Sequence, residues 1–177
     1  MPRTVPLTLI LCAFLLPSAP AGDLDDFHWR EPFDHVEAWS ARPDWLSEPS
    51  ATATVSGDGQ TACFQVQEPR RGMKWSRPIP VTSLKELPYL VVRYRAENLD
   101  TTSTDYLLYL DDRKQEQLSP LRLCDAAADG QWHVAAVDLG SLADSDAVYA
   151  MAVHVRAGSE GKAKLWLDSI ALTDDVP

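Results

Sequence analysis

Past its first 21 residues the chain has no apolar run approaching the roughly 20 residues that a transmembrane helix requires, so the remainder offers no helical membrane span. Basic charge is in short supply. Lys and Arg number 16 against 26 Asp and Glu, for a formal net charge of −10. An acidic surface repels phosphate backbones and anionic lipid, which argues against nucleic acid and membrane surfaces as partners. Catalytic signatures are missing as well. His28, His35, His133 and His154 do not have the H-E-x-x-H spacing of a zinc site, and there is no Gly-x-Ser-x-Gly elbow, P-loop or dinucleotide fingerprint. Acids are plentiful, but none is singled out by spacing as half of a glycosidase pair. The reading is of a protein that is not an enzyme.

Cysteine is scarce too. Cys12 falls in the leading apolar run, where Leu11 is too large for the small residue that precedes a lipidated cysteine. That leaves Cys63 and Cys124. An isolated pair in an oxidising compartment usually bonds. A bridge here would close a loop of about 60 residues, worth roughly 4 kcal/mol of unfolded-chain entropy. The expectation is therefore a Cys63–Cys124 disulfide.

What is present begins at the N-terminus. Arg3 gives a short basic start, residues 5–16 are apolar, and Ala19-Pro20-Ala21 sets small residues at the positions a signal peptidase reads. This order predicts a secretory signal peptide over 1–21 and a secreted or periplasmic protein. With apolar residues at 45%, the mature chain reads as one folded domain. Over 22–50, Trp29, Phe33, Trp39 and Trp45 are interspersed with Pro32, Pro43 and Pro49, which forbid a long helix. This stretch reads as an irregular wrap that lays aromatics against the body.

The body, 51–177, reads as strands and turns. Ala62, Phe64 and Val66 alternate with polar residues; so do Leu90, Val92 and Tyr94 with Val91, Arg93 and Arg95, and Met151, Val153 and Val155 with Ala152, His154 and Arg156. About nine such strands, with turns every 8–12 residues, give an all-β fold: a two-sheet antiparallel β-sandwich. No gap holds the crossover helix of about ten or more residues that a parallel sheet would need.

Asp129-Gly130-Gln131-Trp132-His133 with Val137-Asp138-Leu139, the strand over 149–156, and the closing Leu165-Trp166-Leu167-Asp168-Ser169-Ile170-Ala171-Leu172 resemble the second half of jelly-roll carbohydrate-binding modules, which belong to the galactose-binding-like sandwiches. Phe33-Asp34 with Trp39, and Tyr89-Leu90-Val91-Val92-Arg93-Tyr94, match their first half loosely. The resemblance spans roughly 33–172 and departs at the start, where a clean Phe-Glu-x-Gly is absent. It implies a jelly roll and a carbohydrate partner. It also implies a structural Ca2+ at Asp168, a carboxylate in an apolar strand that needs a partner, with Asp34 joining it and Glu37 or Asp26 next. A solvent-facing or backbone-bonded Asp168 stands as the alternative.

Sugar sites combine aromatic faces with polar side chains. If the strands over 89–96 and 149–156 share a sheet, Arg93, Arg95, His154 and Arg156 share one surface, with Tyr106 or Tyr109 beside them. Four basic positions on an acidic chain would suit an acidic glycan. Trp45 and Trp75 are the tryptophans placed to stack on a ligand. Two functions stay open: a non-catalytic module binding a polysaccharide or glycoconjugate, and a structural module serving an extracellular protein.

Overall fold

The computed structural model describes residues 29–100, 106–112, 117–122, 126–142 and 147–175. Among them are eleven strands: β1 (Trp29–Glu31), β2 (Ser40–Ala41), β3 (Thr54–Gly57), β4 (Ala62–Val66), β5 (Gly72–Thr82), β6 (Tyr89–Glu97), β7 (Tyr106–Asp112), β8 (Gln117–Arg122), β9 (Asp129–Asp138), β10 (Val148–Arg156) and β11 (Ala163–Thr173). They form two antiparallel sheets, one ordered β3-β4-β11-β6-β9 and the other β2-β5-β10-β7-β8. β1 lies beside β4 on the same edge of β11, pairing Glu31 with Ile170 while β4 pairs Phe64 with Leu165. The expected two-sheet sandwich is what the chain adopts.

Period-two alternation builds the core. Leu90, Val92, Tyr94 and Ala96 from β6 face Met73, Trp75 and Ile79 from β5 and Met151, Val153 and Val155 from β10 across the interior. Proline is placed where it costs no ladder bond. Pro120 lies in β8 at a sheet edge, and Pro78 lies beyond the short reach of β2, which pairs only with Trp75 and Ser76 of β5.

β11 changes parity partway along. Ala163, Leu165 and Leu167 point inward, and after a register shift between Leu167 and Ser169 the inward positions are Ile170 and Leu172. Asp168 is the extra residue of this bulge, so the strand keeps apolar side chains in the core on both sides of an acid.

The described part of the wrap holds β1, β2 and two 3-10 turns, Val36–Ala38 and Pro43–Trp45. It supplies core as well as cover. Phe33 stacks on Trp39 at 6.2 Å between centroids, Trp39 meets Phe64 edge-on at 5.2 Å, and Phe64 meets Trp75 at 5.2 Å. Trp75 is thus the inner end of an aromatic row and buried at 2% exposure, which corrects its reading as a ligand platform: its parity on β5 is that of Met73 and Ile79. Trp39→Ala removes the centre of this row. It is expected to lower stability by about 3–5 kcal/mol in urea unfolding. A loss under about 1 kcal/mol would mean that the wrap is not part of the core.

Candidate functional site

Two strand faces look away from the core, and they differ in kind. On the β5–β10 side the register sets Gly72 against Arg156, Lys74 against His154 and Ser76 against Ala152. All six alternate with core residues and so point outward. Yet Lys74, Ser76 and His154 are only 8%, 5% and 0% exposed. Part of their cover comes from the segment after β2. The Arg42 amide donates to the Lys74 carbonyl (2.8 Å) and the Ser50 amide to the Gly72 carbonyl (2.7 Å), so residues 43–49 form a loop fastened at both ends to the edge of β5. From this loop Arg42 Nε donates to Ser76 Oγ at 2.8 Å, and its guanidinium lies 5.6 Å from the Trp45 ring centre. Trp45 is half-buried.

Gly72 leaves room here. A Cβ at that position would sit 3.1 Å from His154 Nε2 and 3.6 Å from Leu46 Cδ1, so the missing side chain makes room for the imidazole and for the loop above it. The far end of the loop is held by Glu68, which accepts from the Ser50 hydroxyl and from the Ala51 amide at 3.2 Å. The Ser50 bond, followed by further donors, holds the Glu68 carboxyl down at about 2. Arg156 pairs with Asp100 at 3.6 Å. Tyr109 is described in its backbone only, where it pairs with Ala152 and so takes a register position on this same face.

The opposite outer face, formed by β11, β6 and β9, is open. Arg93 lies over the Trp132 ring at 4.9 Å, Arg95 over the Trp166 ring at 4.4 Å, and Lys164 near Trp166 at 5.5 Å. Arg93 also pairs with Asp168, and Arg95 with Glu97 at 2.6 Å. Trp132 is 40% exposed and Val134 65%. Arg93 and Arg95 therefore do not join His154 and Arg156: β6 and β10 belong to different sheets. The shared basic surface expected from the sequence does not exist, and the acidic-glycan reading built on it goes too. The structure instead gathers Trp45, His154, Arg156 and the Tyr109 backbone on one face, and adds Arg42, Lys74 and Ser76.

No family model matches the sequence, and no curated protein does. Solved structures match the fold. A family 11 carbohydrate-binding module from Clostridium thermocellum, in complex with a β-1,3-1,4-mixed-linked tetrasaccharide, superposes with a TM-score of 0.50 at 11% identity, over 81% of this chain and 92% of that one. A β-1,2-glucanase from Parabacteroides distasonis gives 0.50 at 13% identity, over 79% of this chain and 24% of that one. The xylan-binding module CBM15 gives 0.49 at 12%, over 84% and 99%. The fold is that of a jelly-roll carbohydrate-binding module. At these identities the likeness is one of architecture. The chain spans nearly all of the two isolated modules and about a quarter of the glucanase.

The calcium expectation for this module fold meets a different arrangement. Asp168 has its counter-charge from Arg93, and Asp34 is exposed beside His35, at 4.0 Å. No group of three His, Cys, Asp or Glu side chains is poised for a metal among the described residues. Among the described residues the partner that this carboxylate has is a guanidinium, and Asp26 lies outside them.

The disulfide expectation is corrected likewise. Cys63 is a free thiol on the outer face of β4, in register with Trp166, and burial pushes its pKa up. Cys124 lies outside the described residues. The strand that leads to it, β8, is at the far edge of the opposite sheet, while Cys63 faces away from that sheet.

One polar pair of the module escaped sequence reading. Glu31, 1% exposed, accepts from Arg77 Nη1 and from the Phe33 amide at 3.1 Å, and the same guanidinium lies 5.9 Å from the Trp39 ring centre. The parity of β5 carries the signal: Met73, Trp75 and Ile79 point inward, so Arg77 does too. Burial raises the Glu31 pKa above its ordinary 4.5, against the opposing pull of Arg77. A raised folded-state value gives stability that is complete below the unfolded value of 4.5 and is lost as pH rises through the folded one. Urea unfolding of wild type and Glu31→Gln is therefore expected to show the wild type gaining on the variant as pH falls from 7 to about 4.5. A wild type that holds level with the variant, or loses ground to it, as pH falls would contradict the burial of the pair.

Proposed function

We propose that the protein is an exported, non-catalytic module that binds polysaccharide on the outer side of β5 and β10, along the Arg42–Leu46 loop. One observation carries this: polar side chains on the solvent side of a sheet are buried under a loop that brings an indole to their edge. Sugars ask for this combination. The apolar face of a pyranose stacks on an indole, and ring hydroxyls exchange bonds with the exposed Arg42 guanidinium, which the buried Ser76 holds in place beforehand. Arg42, fixed to Ser76 and lying against Trp45, is ordered before any ligand arrives, which lowers the entropy cost of binding. The family 11 module, alike in fold, was solved with a mixed-linked tetrasaccharide, which makes mixed-linked β-glucans sensible first probes. Export rests on the basic, apolar and small-residue order of the first 21 residues.

Affinity electrophoresis in gels carrying these polysaccharides tests the reading. The wild type should be retarded, and Trp45→Ala should weaken retardation about tenfold or more, the loss of roughly 1.4 kcal/mol of stacking and contact. Trp166→Ala, on the other sheet and away from the β9 edge, should leave it unchanged. Absence of retardation in a broad polysaccharide panel, or a loss confined to Trp166→Ala, would overturn the proposal.

A further inference from the structure

No further strand closes the flank of the sandwich at β9 among the described residues. Among the described residues β9 has one strand partner, β6, so its other edge presents a row of backbone donors and acceptors. Its outward side chains Trp132, Val134 and Ala136 are exposed, and its inward ones Ala135 and Val137, which pack on the core, are only partly covered. Natural edges are usually blunted by charge, proline or brevity. This strand runs ten residues, and from Gly130 to Val137 it holds no Asp, Glu, Lys, Arg or Pro. Apolar side chains left half-open on both faces of one strand call for another strand alongside.

We propose that the occupant is a second copy of this chain, paired antiparallel through β9. Charge favours this choice. Two chains of net charge −10 repel unless they meet on a stretch free of acids, and the acids of β9, Asp129 and Asp138, stand at its two ends. A two-fold axis through His133 sets Trp132 of each copy opposite Val134 of the other, an aromatic–β-branched pair made twice. In that register Asp129 falls opposite Val137 and Asp138 opposite Ala128, so no acid faces an acid. Trp132 arrives already stiffened by Arg93 on its ring, and Trp and Arg are the side chains that most often dominate interface energy. The two β11-β6-β9 sheets would run on into one another. Because antiparallel pairing within a sheet keeps faces on their own side, both β5–β10 faces would look the same way, as multivalent attachment to an extended polymer requires.

Sedimentation equilibrium of the protein across a range of concentrations decides the matter, with Val134→Asp as the variant. Position 134 is outward and mostly exposed, so the fold tolerates the change, and circular dichroism checks that it does. The wild type should pass from one-chain to two-chain mass as concentration rises, and Val134→Asp should need at least tenfold more protein to do so. A wild type that stays monomeric throughout overturns the proposal. So does a Val134→Asp variant, folded by circular dichroism, that dimerises like the wild type.

Discussion

From opposite sheets, β6 and β10 turn their apolar faces into one shared core, and most of what can be said of this protein depends on that. Leu90, Val92 and Tyr94 on one strand and Met151, Val153 and Val155 on the other are apolar at alternate positions, and each set must leave water. Across a sandwich they do so by facing each other. The alternate positions then point in opposite directions, Arg93 and Arg95 to one side, His154 and Arg156 to the other. The molecule has two outer faces because its two best strands share one interior.

Those faces have diverged in character through what lies on top of them. Over β5 and β10 a loop fastened at Arg42 and Ser50 brings an indole and a guanidinium to the edge of Lys74, Ser76 and His154. Over β6 and β11 nothing comparable lies among the described residues, and the side chains settle their own account: Arg93 between Asp168 and Trp132, Arg95 between Glu97 and Trp166. The bulge at Asp168 supports this second arrangement. It turns an acid outward toward Arg93 without taking Leu167 or Ile170 from the core.

Strand identity and strand faces were legible in the sequence because they are local. The alternation in 62–66, 89–97 and 148–156 names the inward-facing residues almost one by one. Sheet membership was not legible, since it depends on which strands neighbour which, and periodicity is silent about that. His154 shows the limit well. Its parity was read correctly as outward, but its burial comes from Gly72 beside it and from the fastened loop, both far away in sequence. Asp168 was rightly seen to need a partner, and Arg93 was within the same reading, but joining the two required the β6–β11 register. Arg77 was readable from the parity of Met73 and Trp75, but its partner Glu31 was not, because it lies in a segment with no regular alternation.

On the proposed function the ligand binds the β5–β10 face. Backbone amide chemical shifts, followed as a mixed-linked β-glucan oligosaccharide is titrated into the labelled protein, report that face directly. The account predicts that the amides of Arg42, Trp45, Lys74, Ser76, Ala152 and His154 move together and saturate, while those of Arg93, Arg95, Trp132 and Trp166 stay in place. Saturable shifts confined to the second group would contradict it.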